Sequence, residues 1–247
     1  MNEKIDESKA NLIKIEQLLD IQANPIVSSF FQGIPVIGNL IDSTMESVFQ
    51  TFQKKKMQEL TDTILSDDHE ITSDMVNDIE FIMNFAKTTD AVLRLTTNDK
   101  VKYFGNLIRN GYLSGNHIEN DVFEEYLEVL NTMTYREIQY LTDYNLYCIT
   151  KRQESNEIFY SDNFFEEFSL EYSKKIGISE NELYSVFTRL KRTGFVSEEY
   201  ETAEGNISEH YGEEYGNDIE SLEVEPKGFY INEDFNIFYD IVLKGKK

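Results

Sequence analysis

The sequence predicts a mainly helical protein: an N-terminal helical bundle over residues 1–150, followed by a smaller α+β module over residues 158–247. Apolar residues recur at helical spacing along most of the chain. The 247 residues include only 3 Pro and 12 Gly, a composition that favours long helices over a β-sandwich or barrel. Near the C-terminus the pattern changes to two helical segments, a glycine and two short extended runs.

The bundle is predicted from amphipathic segments that alternate with polar breaks. These segments lie at 4–20, at about 36–65, at 73–96, from a cap at Asn98 to about 113, at 118–131 and at 135–149. Thr134 and Glu137 form a T-x-x-E capping box for the last segment. Its apolar face is expected to comprise Ile138, Leu141, Leu146 and Ile149. The polar run 151–157 predicts the linker to the module.

A stretch from Ile21 to Ile41 contains no charged residue and is long enough to span a membrane. Its amide and hydroxyl side chains, together with Pro25 and Pro35, oppose a span. We therefore expect a buried turn-and-helix element, with membrane association and an oligomer contact as alternatives. The candidate membrane or partner contacts are Phe30, Phe31, Ile34, Val36, Ile37, Lys54, Lys55 and Lys56. The three lysines are expected on a solvated helix face, and the alternative is a contact with anionic lipid.

The module begins with a predicted helix whose apolar residues are Phe165, Phe168, Leu170, Tyr172 and Ile176. Gly177 is a C-terminal cap, and Ser179 with Glu182 forms a capping box for the next helix. The apolar face of that helix is expected at Leu183, Val186, Phe187 and Leu190. After Gly194 an extended run starts at Phe195 and Val196, and its antiparallel partner is expected at 229–231. This order of elements is typical of a winged helix, and a plain helical hairpin with a β-ribbon is the alternative.

Winged helices bind DNA or other proteins, and the charges here favour proteins. The nucleic-acid candidates are Arg189, Lys191 and Arg192, at the C-terminal end of the second helix. A recognition helix presents polar groups to DNA from its N-terminal part, which here carries Glu180 and Glu182. The wing insert 198–225 contains eleven acidic residues and no Lys or Arg, and we expect disorder over 201–225. The whole chain has a net charge of −23, which opposes phosphate binding.

No motif in the sequence predicts catalysis, a cofactor or a metal site. The chain lacks an H-E-x-x-H, a P-loop and a G-x-S-x-G elbow, and His69, His117 and His210 lie far apart. Cys148 is the only cysteine, so no intramolecular disulfide forms, and its apolar neighbours predict a core position. The N-terminal residues do not have the pattern of a secretory signal, so we expect a cytoplasmic protein.

The order of these parts resembles a group of small bacterial proteins. The features that carry the resemblance are the charged first helix, the P-V-I-G element at 35–38, the lysine run, the segment YREIQYLTDY at 135–144 and the winged-helix-like end. The chain is similar in this layout to alpha-type abortive-infection proteins and related phage-defence accessory proteins. The resemblance implies a role in defence against phage, without a mechanism and without any transferable site residue.

The sequence therefore predicts a non-enzymatic protein that acts in phage defence by binding another macromolecule, and the charges favour a protein partner. One alternative is a winged-helix DNA-binding regulator. A second is a membrane-associated effector that uses the uncharged 21–41 element. The eleven acids of the insert also suggest a DNA mimic, but the insert's glycines argue against the rigid surface that mimicry needs. Partner identity and oligomeric state are not predicted.

Overall fold

The computed structural model describes residues 10–11, 43–66, 71–114, 118–154, 164–202 and 224–244. Over these residues the protein is mainly helical, with a small two-stranded antiparallel sheet. The chain divides into two compact units: one comprises Met1–Tyr135 with Phe238–Lys247, and the other Arg136–Ile237. The division falls between Tyr135 and Arg136 and not in the linker predicted at 151–157. Residues 151–154 of that predicted linker belong to the helix that starts at Tyr135.

The first unit is helical. Its helices are α1 Ser43–Ile64, α2 Ser73–Asn77, α3 Ile79–Arg94, α4 Val101–Ile108 and α5 Asn120–Thr132. A π-helical turn, Arg109–Leu113, extends α4, and a second π-helical turn at Tyr239–Leu243 lies near the C-terminus. Asn106 and Asn110 donate side-chain hydrogen bonds of 2.9 and 2.6 Å to the carbonyls of Val242 and Ile241. The core of this unit is built from aliphatic and aromatic side chains such as Phe104, Leu107 and Phe123.

Two predicted helix boundaries in this unit are wrong. The helix expected over 73–96 is interrupted at Asp78, whose carboxylate accepts a hydrogen bond from the Glu80 backbone N–H at 2.9 Å and so caps α3. The helix expected to be capped by Asn98 has Lys100 at its N-cap position, without a side-chain capping bond. Part of the predicted 36–65 helix is present as α1. Nearly all of the predicted 4–20 helix lies outside the described residues.

Among the described residues, the second unit contains four α-helices and a hairpin. The helices are α6 Tyr135–Glu154, α7 Phe165–Ile176, α8 Glu180–Leu190 and α9 Glu233–Phe238, and a 3₁₀ turn Lys191–Thr193 follows α8. The strands of the hairpin are β1 Val196–Thr202 and β2 Val224–Ile231. Gly177 adopts φ +74° and ends α7, and the Ser179 Oγ accepts from the Glu182 N–H at 3.1 Å. Both local predictions for this turn are therefore confirmed.

The hairpin has the predicted pairing. Val196 lies opposite Ile231, and Ser197 lies opposite Tyr230. The strands continue into the segment predicted as the insert 198–225, since β1 reaches Thr202 and β2 starts at Val224. Residues 203–223, which hold most of the insert and of the predicted disorder, lie outside the described part of the chain.

The core of the second unit is a cluster of aromatic rings around Tyr144. Its ring lies 4.8 Å from that of Phe168 and 5.3 Å from that of Phe187, and its hydroxyl donates to the Phe229 carbonyl at 2.5 Å. All four residues predicted for the apolar face of α8 are buried, and so is Cys148, as predicted. The prediction was wrong for Leu146 and Ile149 on α6 and for Leu170 on α7, which are 45%, 38% and 44% exposed.

Candidate partner-binding site

The basic residues predicted to bind nucleic acid lie at the end of α8 and are engaged within the chain. Arg192 donates two hydrogen bonds of 2.9 Å, one to each carboxylate oxygen of Glu137. Glu137 is in the first turn of α6 and is only 3% exposed. Arg189 places its Nε 3.7 Å from the same carboxylate. Glu137 was predicted as part of a capping box. Its carboxylate forms a bidentate, partly buried ion pair with Arg192 and a second ion pair with Arg189.

The third candidate, Lys191, pairs with Glu198 on β1. Glu198 also accepts hydrogen bonds from the hydroxyls of Tyr184 and Tyr200. Lys191 and the two tyrosines together lower the pKa of Glu198 to about 2. The same contact raises the pKa of Lys191. Two acids, Glu137 of the predicted capping box and Glu198 of the predicted wing insert, thus neutralise all three candidate cations.

The candidates for membrane or partner contact have different outcomes. Phe30, Phe31, Ile34, Val36 and Ile37 lie outside the described residues. Lys54 and Lys55 are exposed on α1, as predicted. Lys56 was predicted to be solvated, but it is buried, with 0% exposure. No helix in the described ranges is both long and apolar enough to cross a membrane.

The burial of Lys56 has a local cause. Its ammonium donates to the carbonyls of Leu93, at 3.1 Å, and Leu95, at the C-terminal end of α3. It also lies 4.4 Å from the centroid of the Phe52 ring. Burial lowers the pKa of this lysine. A cation at a helix C-terminus satisfies carbonyls that lack a partner in the helix, so Lys56 contributes to packing and is not available to lipid.

A groove of about 420 Å³ opens between α6 and α7 on the second unit. This α6–α7 groove is lined by Asp143, Leu146, Tyr147, Thr150, Phe168, Glu171, Tyr172 and Lys175. Ring stacking orders its aromatic lining. The Phe168 ring stacks on Tyr172, with centroids 4.8 Å apart and an interplanar angle of 18°, and its centroid lies 5.4 Å from that of Tyr147.

The charged groups of the groove are arranged around these rings. The Tyr172 hydroxyl donates to the Asp143 carboxylate at 2.6 Å, and this carboxylate contributes to raising the pKa of Tyr172, after burial. Among the described residues, neither Asp143 nor Glu171 forms an ion pair. Glu167, one turn before Glu171, does form one, with Lys151 at 2.6 Å. The groove thus combines an aromatic floor with two carboxylates that have no cationic partner there.

Sequence periodicity missed this groove because it assigned Leu146 and Ile149 to the core. The buried face of α6 is formed by Leu141, Tyr144 and Cys148, spaced by three and four residues. Leu146 falls outside that stripe and lines the groove. The spacing of Leu141, Tyr144 and Cys148 was available in the sequence, but tyrosine is a weaker indicator of a core than leucine or isoleucine.

In the described part of the chain, no group of three or more His, Cys, Asp or Glu side chains is placed to hold a metal ion. His69, His117 and His210 all lie outside that part. Comparison with protein-family models, with curated proteins and with solved structures finds no match to this chain. The candidate site consequently depends on the geometry described above.

Proposed function

We propose that this protein is a non-enzymatic binding protein whose second unit is a winged-helix-like module that contacts another protein. The order α6, α7, turn, α8 and hairpin supports the comparison with a winged helix. The resemblance in layout to abortive-infection proteins supports a role in phage defence inside bacterial cytoplasm. The proposal includes neither a cofactor nor a catalytic group.

The observation that carries this proposal is the pairing of Arg189, Lys191 and Arg192 with Glu137 and Glu198. A DNA-binding helix gains its affinity by placing cations on phosphates and releasing counterions. Here each cation already has a carboxylate, so binding DNA requires breaking pairs that include the buried Glu137. The net charge of −23 adds a repulsive field at low salt.

The α6–α7 groove supplies a surface that suits a protein partner. Protein interfaces are enriched in aromatic side chains at their centre and have a polar rim. The groove has this composition, with Tyr147, Phe168 and Tyr172 between charged residues. Leu146 and Ile149 extend the apolar surface along α6.

Fluorescence anisotropy with labelled duplex DNA, single-stranded DNA and RNA tests the proposal, at about 50 and 200 mM salt. We expect no binding at either concentration. Salt-sensitive binding of the wild-type chain would overturn the proposal and establish the alternative of a DNA-binding regulator.

The choice of variant for this assay follows from the ion pairs. Replacing Arg189 and Arg192 by glutamate would leave the buried Glu137 beside two like charges and disturb the fold, so loss of binding would be ambiguous. Glu137→Gln removes the competing charge and keeps one of the two oxygens that accept from Arg192, while an NH₂ group replaces the other. If ion pairing is what suppresses phosphate binding, E137Q binds duplex DNA more tightly than E199Q, a matched variant with the same net charge.

A partner capture experiment tests the positive half of the proposal. The immobilised full chain is exposed to bacterial lysate treated with nuclease, and bound proteins are identified by mass spectrometry. We expect a protein that is retained by the wild type and lost with Leu146→Asp, which places a charge on the exposed groove wall. Thr188→Asp, an exposed position on α8, is the control with the same change in charge.

A further inference from the structure

We propose that the α6–α7 groove is a receptor for an arginine side chain presented by a basic segment of a protein partner. This inference rests on the proposed function and names the chemistry of the partner. Three features lead to it: the aromatic floor of the groove, its two carboxylates that form no ion pair among the described residues, and the net negative charge of the chain.

The aromatic floor suits a flat cation. The faces of tyrosine and phenylalanine rings attract cations, and guanidinium also stacks on them because it is planar. The half-buried Tyr147 ring is the most accessible of the three, and Phe168 and Tyr172, which are 2% and 7% exposed, continue the row with centroid spacings of 5.4 and 4.8 Å. Two of these rings already have ammonium groups of this chain nearby, since Lys151 lies 5.2 Å from the Tyr147 centroid and Lys175 lies 5.9 Å from that of Tyr172.

The carboxylates determine which cation fits. Asp143 and Glu171 come from different helices and both line the groove. Arginine offers five N–H donors in a fixed planar fork, so one guanidinium can reach two acceptors while it stacks on a ring. Lysine has a compact, strongly hydrated ammonium that gains less from stacking. The combination of aromatic faces with two carboxylates therefore favours arginine.

Net charge favours the approach of such a partner. The chain carries 46 acidic and 23 basic residues, so its field attracts basic segments over distances of about one Debye length. Lys175 is the opposing feature, because its exposed ammonium lies at the groove beside Tyr172. The like charge of Lys175 opposes an incoming guanidinium, so removal of that ammonium should strengthen binding.

The first experiment is an NMR titration of the full chain with tyrosine rings labelled with ¹³C. The probes are acetyl-Gly-Arg-Gly-amide, the corresponding lysine peptide, and the citrulline peptide, in which an uncharged isostere replaces arginine. Tyr147→Phe and Tyr172→Phe identify the two groove signals. We expect the arginine peptide to shift both signals, with a smaller response to lysine and none to citrulline.

The charge requirement is tested with Glu171→Gln and a control on the same helix. Glu171 is exposed, so E171Q removes one groove carboxylate without leaving a buried group unpaired. Loss of one partly exposed ion pair predicts binding weaker by about fivefold. Glu166→Gln makes the same change of net charge at an exposed position of α7 that does not line the groove, and it should leave the affinity unchanged. Lys175→Ala should tighten binding by about twofold.

Several results would overturn the inference. Equal shifts with arginine and citrulline would show that charge is not recognised, and a stronger response to lysine would reject the assignment to arginine. Equal losses in E171Q and E166Q would show that only the general field acts. These outcomes are distinct from failure of the proposed function. That failure would appear as binding of DNA or RNA in the anisotropy assay, whereas failure of the inference would appear in the tyrosine signals of the groove.

Discussion

The carboxylate of Glu198, on the hairpin strand β1, accepts hydrogen bonds from three different side chains. Lys191, Tyr184 and Tyr200 all donate to its carboxylate, and its pKa falls to about 2 from an ordinary 4.5. A depressed carboxylate pKa stabilises the fold above the unfolded pKa, and this stability is lost as the pH falls through the folded pKa. The contribution should therefore be complete above about pH 5 and decline towards pH 2.

Glu198→Gln should lower the free energy of unfolding at pH 7 by about 1–2 kcal/mol, because the amide loses the ion pair with Lys191 and keeps only one of the two oxygens that accept from Tyr184 and Tyr200. The difference from the wild type should shrink between pH 5 and pH 2. Chemical denaturation across this range measures it. Glu199→Gln, the adjacent residue on β1, is the control and should show a smaller effect at pH 7. An E198Q deficit that persists unchanged at pH 2 would contradict the assignment.

The ammonium of Lys56 contributes to the stability of the fold through hydrogen bonds to the end of α3. Lys56→Met keeps most of the apolar stem but removes the donor to the carbonyls of Leu93 and Leu95, which would cost about 1–3 kcal/mol. Lys55→Met, at an exposed neighbouring position, should change the stability by less than about 0.5 kcal/mol. Thermal unfolding of both variants checks this contrast. Equal stabilities would mean that Lys56 is solvated and available to bind a ligand.

At the scale of elements, α1 and α4 approach each other closely at Gly105. A β-carbon at this position would lie 2.6 Å from the Thr63 Cβ atom, so an added methyl group forces the helices apart. Gly105→Ala should reduce the stability by about 1–3 kcal/mol, although alanine is the better helix former. Lys102→Ala on the exposed side of α4 is the control. A more stable G105A would show that the two helices tolerate a wider separation.

Local signals predicted the α7–turn–α8 segment well because they act within a few residues. The Ser179 cap, the left-handed Gly177 and the buried face of α8 each depend on neighbours three or four positions away. The antiparallel partner of the run at Phe195 and Val196 was also predicted at 229–231, since both runs are short and apolar and lie on either side of a polar insert.

Tertiary contacts explain where the sequence was insufficient. The lysine run predicts a solvated Lys56. The residue is buried because its ammonium donates to the carbonyl of Leu93, which lies 37 positions later at the end of α3. The pair of Glu137 with Arg192 joins residues that are 55 positions apart. The α6–α7 groove depends on which face of α6 is buried, and the periodicity of leucine and isoleucine pointed to the wrong one.

At the scale of the whole molecule, the net charge of −23 has a consequence for stability. Folding brings like charges closer than they are in the expanded unfolded chain, so their repulsion opposes the folded state. Salt screens this repulsion within a Debye length of about 10 Å at 0.1 M. It also weakens exposed ion pairs such as that of Lys87 with Glu124, but such pairs contribute little individually.

The unfolding midpoint at pH 7 should therefore rise by about 3 °C between about 10 and 300 mM NaCl, which for a chain of this size corresponds to roughly 1 kcal/mol. The same series near the isoelectric point of about 4.4 is the control, because the net repulsion is then absent and only the ion pairs respond to salt. A midpoint that falls with salt at pH 7 would show that local pairs outweigh the mean field.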